Sequence, residues 1–104
     1  MATTTKAIYR GAAATSTTTL YTVPNTSTTT VVTNIAVTNT AGSAGSFTLT
    51  IDGTDIFTGV SIAANTSYFI DCKQVIPANA TPKTVSGYAS ATTITFHISG
   101  VEIA

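Results

Sequence analysis

Two carboxylates, Asp52 and Asp55, sit around Gly53 in the stretch SFTLTIDGTDIFTGV, in a chain that holds only four acidic and four basic residues. Paired acids can hold a cation or move a proton. A calcium loop, however, needs more oxygen ligands at alternating spacing and a closing glutamate, and Phe57 to Val60 supply neither. Asp-Gly between two apolar runs is instead a hairpin signal, because glycine takes the positive φ of a tight turn and aspartate bonds nearby backbone amides. The pair therefore reads as a turn.

The other candidates for chemistry are few. His97 is the single histidine, and a period of two places it with Thr95 and Ser99, opposite Phe96 and Ile98, on a solvated or interface-forming face. Cys72 is the single cysteine, so no disulfide closes within the chain, and beside Ile70 it reads as a small apolar core residue. One histidine and one unrelated cysteine cannot complete a four-ligand zinc site. No GxSxG occurs, and Gly42 and Gly45 precede a strand rather than the helix a phosphate loop would need. Asn25, Asn65 and Asn79 begin glycosylation patterns, but with no secretory signal they read as turn residues. Tyr9, Tyr21, Tyr68 and Tyr88 could form a sugar-stacking platform, yet there is no tryptophan and they do not cluster, so packing is their expected use. Neither an enzyme, a metal nor a cofactor is expected.

The elements that would carry these residues are strands. Gly45 to Asp52 alternates Phe47, Leu49 and Ile51 with hydroxyl residues, and Ile94, Phe96 and Ile98 alternate with Thr95, His97 and Ser99. Thr29 to Thr40 reads as a longer strand with Val31, Ile35 and Val37 on one side and Val32 and Ala36 on the other. AGSAG after it suits a hairpin loop. TSYFIDCKQVI reads as one strand with Phe69 turned to a second layer or a partner, and PANATP, with Pro77 and Pro82, as a loop. Lys83 to Ser90 is a weak strand with Val85, Gly87 and Ala89 on one side. Val101 and Ile103 fall out of phase with Ile98, so Gly100 is expected to mark a bulge. Two short strands precede, at Ala7 to Ala13 and Leu20 to Val23. Eight or nine short strands with no helical period predict an all-β, two-sheet antiparallel sandwich, jelly-roll or immunoglobulin-like. Residues 1–14 form an N-terminal arm or edge strand, and residues 15–104 the sandwich.

Composition narrows the partners. The formal net charge is zero and 8% of residues are charged, against roughly 25% in ordinary soluble domains. This removes the attraction that nucleic acid or an anionic membrane would need. Threonine covers the surface instead, with a branched Cβ that favours the pleat and a hydroxyl that meets water. Few charges of either sign protect poorly against self-association, so the chain is expected to work in an assembly.

LYTVP at 20–24, VTNIAVTNT at 32–40, FTLTIDG at 47–53, VSIAANTSYFID at 60–71 and HISGVEI at 97–103 together resemble a class of small β proteins encoded among the head and tail genes of tailed bacteriophages. The resemblance implies a virion structural protein made in the host cytoplasm. Its most direct form is a capsid decoration (cement) protein that binds the major capsid protein on the outside of the head, often as a trimer. It carries over no catalytic residue. Thr3 to Ala14 is then the segment expected to add as a strand to a neighbour. Two alternatives stand beside it: a tail module for fibre attachment or the tail tip, and a carbohydrate-binding sandwich.

Overall fold

Alternating apolar and hydroxyl side chains fold into nine strands in a computed structural model that describes residues 3–24, 26–71, 73–78, 81 and 83–103. They are β1 (Thr3–Ala12), β2 (Thr18–Thr22), β3 (Thr29–Asn39), β4 (Gly45–Ile51), β5 (Thr54–Ile62), β6 (Thr66–Ile70), β7 (Gln74–Ile76), β8 (Thr84–Ala89) and β9 (Ile94–Ile103). Among the described residues there is no helix. All pairings are antiparallel, in two sheets. The five-stranded sheet has the order β1-β9-β3-β6, with β7 also pairing β3, and the four-stranded sheet has the order β2-β8-β4-β5.

The chain changes sheet at every connection except β4–β5 and β6–β7. That order resolves the architecture as a jelly roll, two interleaved Greek keys, rather than an immunoglobulin sandwich. The core lies between the sheets. Phe47 from one and Phe96 from the other meet edge to face with centroids 6.1 Å apart, and Val32, Ile35, Val37, Leu49, Ile62, Ile76, Ile94 and Ile98 fill the space around them.

Several local expectations are corrected. AGSAG does not close a hairpin, because β3 and β4 lie in different sheets; the loop is an arch held by the buried Asn39. The amide of that side chain donates to the carbonyls of Ser43 (2.9 Å), Ala63 (3.3 Å) and Ile62 (3.4 Å), and its oxygen accepts from the Ala41 backbone (3.0 Å).

Val31 does not share the face of Ile35 and Val37. An extra residue at Thr33 bulges β3 between Val32 and Asn34, so the buried set runs Thr30, Val32, then Ile35, Val37, Asn39. Gly100 carries no bulge of its own. Strand β9 keeps its phase to the end, and both neighbours bulge beside it, β1 at Ile8 and β3 at Thr33. A Cβ on Gly100 would lie 2.5 Å from the Val31 carbonyl oxygen and 2.9 Å from Ile8 Cγ1, so glycine is what lets the two bulges close over this point.

TSYFIDCKQVI is two strands, β6 and β7, laid end to end against β3. Cys72 and Pro82 lie outside the described residues. Strand β8, thin in side-chain volume, is central in its sheet, and Leu49 packs where a Cβ on Gly87 would stand, 2.7 Å from its Cδ2.

Candidate interaction surface

Register fixes which side chains share the outward face of the five-stranded sheet, because directly paired residues of antiparallel strands point the same way. One cross-strand row runs Arg10 (β1), His97 (β9), Ala36 (β3), Phe69 (β6). A second runs Thr5, Val101, Val31, Val75, with Ile103 one pleat further along β9. Phe69 is 78% exposed and Val75 62%, the two most exposed large apolar side chains among the described residues. Both stand on this face. A solvated sheet face is normally polar, so an aliphatic row and an open phenyl ring make this face the candidate contact surface.

Between the rows, beside the paired bulges, is a depression of about 390 Å³ lined by Thr5, Lys6, Ala7, Arg10, Thr33, Ser99, Gly100 and Val101. Arg10 is its charged wall, since Lys6 turns inward to Glu102.

Glu102 is the acid that sequence phase concealed. It points between the sheets, its side chain 14% exposed, and accepts from the Tyr21 hydroxyl and from Lys6 Nζ at 3.3 Å. The Tyr21 proton goes to the carboxylate, so Thr30 Oγ1, at 2.9 Å, donates to the phenol oxygen. Lys6 also stands over the Tyr21 ring, 5.7 Å from its centroid. The Tyr21 hydrogen bond holds Glu102 below its usual carboxylate range, with Lys6 adding to it against the opposing effect of burial. Burial first, and then the bond to Glu102, push Tyr21 up to about 12. Lys6, Tyr21, Thr30 and Glu102 form a polar strut, with every buried polar side-chain atom among the described residues satisfied.

The residues picked out for chemistry are not brought together. Asp52 and Gly53, at φ 56° and 75°, are the two residues between Ile51 and Thr54 and make a type I′ turn. Asp52 pairs with Lys83 at 3.1 Å. Asp55 accepts from Thr50 (2.8 Å) and Thr58 (3.0 Å) hydroxyls and points to the outward face of the other sheet. His97 is exposed on the opposite side of the sandwich. Among the described residues no three His, Cys, Asp or Glu side chains converge on a point. The tyrosines do not share an exposed face: Tyr21 is buried, Tyr9 and Tyr68 pack against the core, and Tyr88, 37% exposed, is on the outward face of the four-stranded sheet.

The open edges of the sheets are blunted. Strand β1 is broken by its bulge at Ile8, β2 by one at Leu20 and β5 by two irregularities with Gly59 at φ 54°, while β6 and β7 are five and three residues long. Bulges and short strands are how sheets refuse a further strand. Thr3–Ala12 is itself paired along its length to β9. Faces, rather than edges, are what this molecule offers.

No family model matches the chain, and no curated protein matches it in sequence. Its fold is shared with solved structures at low identity. One is a chain of the T13 viral particle of infectious bursal disease virus (IBDV), at a TM-score of 0.53 and 15% identity over 97% of this chain and 30% of that one. Another is the Gx strain of the same virus, at 0.53 and 18% over 97% and 32%. The chain thus spans about a third of the length of these viral chains. A weaker likeness, with a TM-score of 0.45 and 14% identity over 96% of this chain and 75% of the other, is to the EclA C-terminal domain, a sugar-binding protein.

Proposed function

We propose that this chain is a structural protein of a virus particle, and within that class a decoration (cement) protein on the outside of a phage head. It works as a homo-oligomer, a trimer in the favoured form, against the major capsid protein and has no enzymatic role. The observation that carries this reading is the Val75–Val31–Val101 row, continued by Ile103, on the outward face of an otherwise hydroxyl-clad sheet. Covering side chains of this size contributes about 1.5–3 kcal/mol each when burial is complete. A ligand that binds only the assembled shell stabilises the shell by mass action. The jelly roll supports the reading at the level of architecture, since the same layout recurs in viral capsid and lectin domains. The sugar-binding alternative asked for tyrosines gathered on one open face, and they are not so arranged.

Copy number in purified particles tests the reading. Quantitative gels and imaging should find the chain in many copies over the head, and a Val75→Asp, Val101→Asp variant that keeps the wild-type circular dichroism spectrum should lose occupancy. A handful of copies at one vertex would assign it to the tail. Absence from the particle would remove the virion role.

A further inference from the structure

In a chain this poor in charge, the pairing of charges is nearly complete, and the exceptions carry information. Lys6 pairs with Glu102, Lys73 with Asp71 and Lys83 with Asp52. Among the described residues, Arg10 meets no carboxylate and Asp55 no cation. These two stand on opposite faces of the sandwich: Arg10 beside His97 on the outward face of the five-stranded sheet, Asp55 beside Thr50 on the outward face of the four-stranded sheet. No strand of the four-stranded sheet contains Lys or Arg, and no outward residue of the five-stranded sheet is Asp or Glu.

Each face also carries an exposed aromatic side chain at a similar distance from its charge. Phe69 lies in the Arg10 row, three strands away, or about 14 Å at the usual strand spacing. Tyr88 lies two strands and two residues from the position of Asp55, or about 12 Å. Either face set against itself would cover its lone charge without offering it an opposite one. One face set against the other matches both the charge and the ring.

We infer that the partner of these two faces is a second copy of this chain, docked head to tail. The outward face of the four-stranded sheet of one copy covers the Arg10–Phe69 row of the next, with Asp55 against Arg10 and Tyr88 near Phe69. The contact is heterologous, so it closes into a ring or continues as a filament. It needs no virus particle: it gives the proposed homo-oligomer a specific contact and rests on that part of the reading alone, while presence on the particle is tested separately.

Sedimentation velocity on the full chain, from micromolar to millimolar, tests it. The wild type should associate with rising concentration, and added salt should weaken the association. R10E and D55R should each lower the association constant by about tenfold or more, because each sets like charges face to face. The double variant R10E/D55R should recover it, and an equimolar mixture of the two single variants should recover it in a filament or an even-membered ring, where the two alternate, and only in part in a three-membered ring. F69S should weaken it without being rescued by D55R. A wild type that stays monomeric throughout would overturn the proposal. So would an R10E defect that the charge swap leaves in place, or a D55R variant that associates as the wild type does.

Discussion

The Tyr21 hydroxyl on β2 donates to the Glu102 carboxylate on β9, joining opposite sheets through residues 81 positions apart. Jelly-roll sheets are otherwise held together by apolar contact, which is strong but not directional. A charge-assisted hydrogen bond at the strand ends, braced by Lys6 and Thr30, adds direction where the aliphatic core gives out. It also fixes the end of β9, whose outward Val101 and Ile103 belong to the proposed contact face. The polar strut and the contact surface are thus two sides of one strand.

Acid should loosen that strut. Glu102 titrates below its ordinary value of 4.5 in the folded chain, so as pH falls the unfolded state takes up its proton first, and folding stability declines until the folded-state value is passed. Stability measured by urea unfolding should be level above about pH 5 and fall below it. Glu102→Gln should flatten that acid limb and lower stability at neutral pH by about 1–3 kcal/mol, since the amide replaces a charge-assisted acceptor with a weaker one. An unchanged acid limb in the variant would place the loss elsewhere.

The alkaline side has the opposite sign. Tyr21 is raised from 10.0 to about 12, so the folded state resists losing this proton, and its contribution is complete below pH 10 and is lost as pH rises towards 12. The wild type should therefore weaken across that window more than Tyr21→Phe does. Comparing the stabilities of the two proteins between neutral pH and pH 11 isolates the difference, which at pH 11 is about 1–1.5 kcal/mol, half of the full effect.

Much of the fold was legible because strand phase is short-range. Phe47, Leu49 and Ile51, like Ile94, Phe96 and Ile98, announce a buried face from five or six letters, and Asp52-Gly53 announces its own turn. What was not legible depends on the neighbouring strand. The bulge at Thr33 exchanges Val31 for Val32 in the core, and nothing within β3 marks it, because Ile8, Gly100 and Thr33 create the kink together. The AGSAG arch resembles a hairpin loop until the strand that pairs with β3 is known to be β9. Glu102 went unread because Val101 and Ile103 drew attention to a bulge at Gly100, whereas Glu102 is the inward residue and they face out. The unmatched Arg10 carried a weak sign in its rarity alone, but its meaning needed the other three cations to be paired off in space.

Gly100 should be the least replaceable glycine. Alanine there brings a methyl to 2.5 Å from the Val31 carbonyl oxygen, a backbone atom that cannot swing aside, and to 2.9 Å from Ile8. The double bulge would have to open. Gly100→Ala should cost about 2–3 kcal/mol or more, read as a lower urea midpoint. Gly42→Ala, with nothing within 4 Å, is the control and should change the midpoint little.

Asn39 provides the sharpest test of how the arch between the sheets is built. Its side chain, 1% exposed, donates to three carbonyls and accepts from one amide, and so fixes the loop that carries the chain from β3 to β4. Asn39→Ala leaves those backbone groups partly buried without a partner, which costs more than the loss of ordinary surface bonds; the expected destabilisation is about 2–4 kcal/mol. Asn39→Asp keeps the shape and the bond from Ala41 but replaces three donor contacts with repulsion between the carboxylate and the carbonyl oxygens. If the donors are what matter, aspartate should be at least as damaging as alanine at neutral pH and should recover part of the loss in acid, where the protonated carboxyl regains one donor. Amide exchange at Ala41, followed by NMR, should quicken in Asn39→Ala, which deletes its acceptor, and less in Asn39→Asp, which keeps it, while exchange in the β4–β5 hairpin stays slow in both.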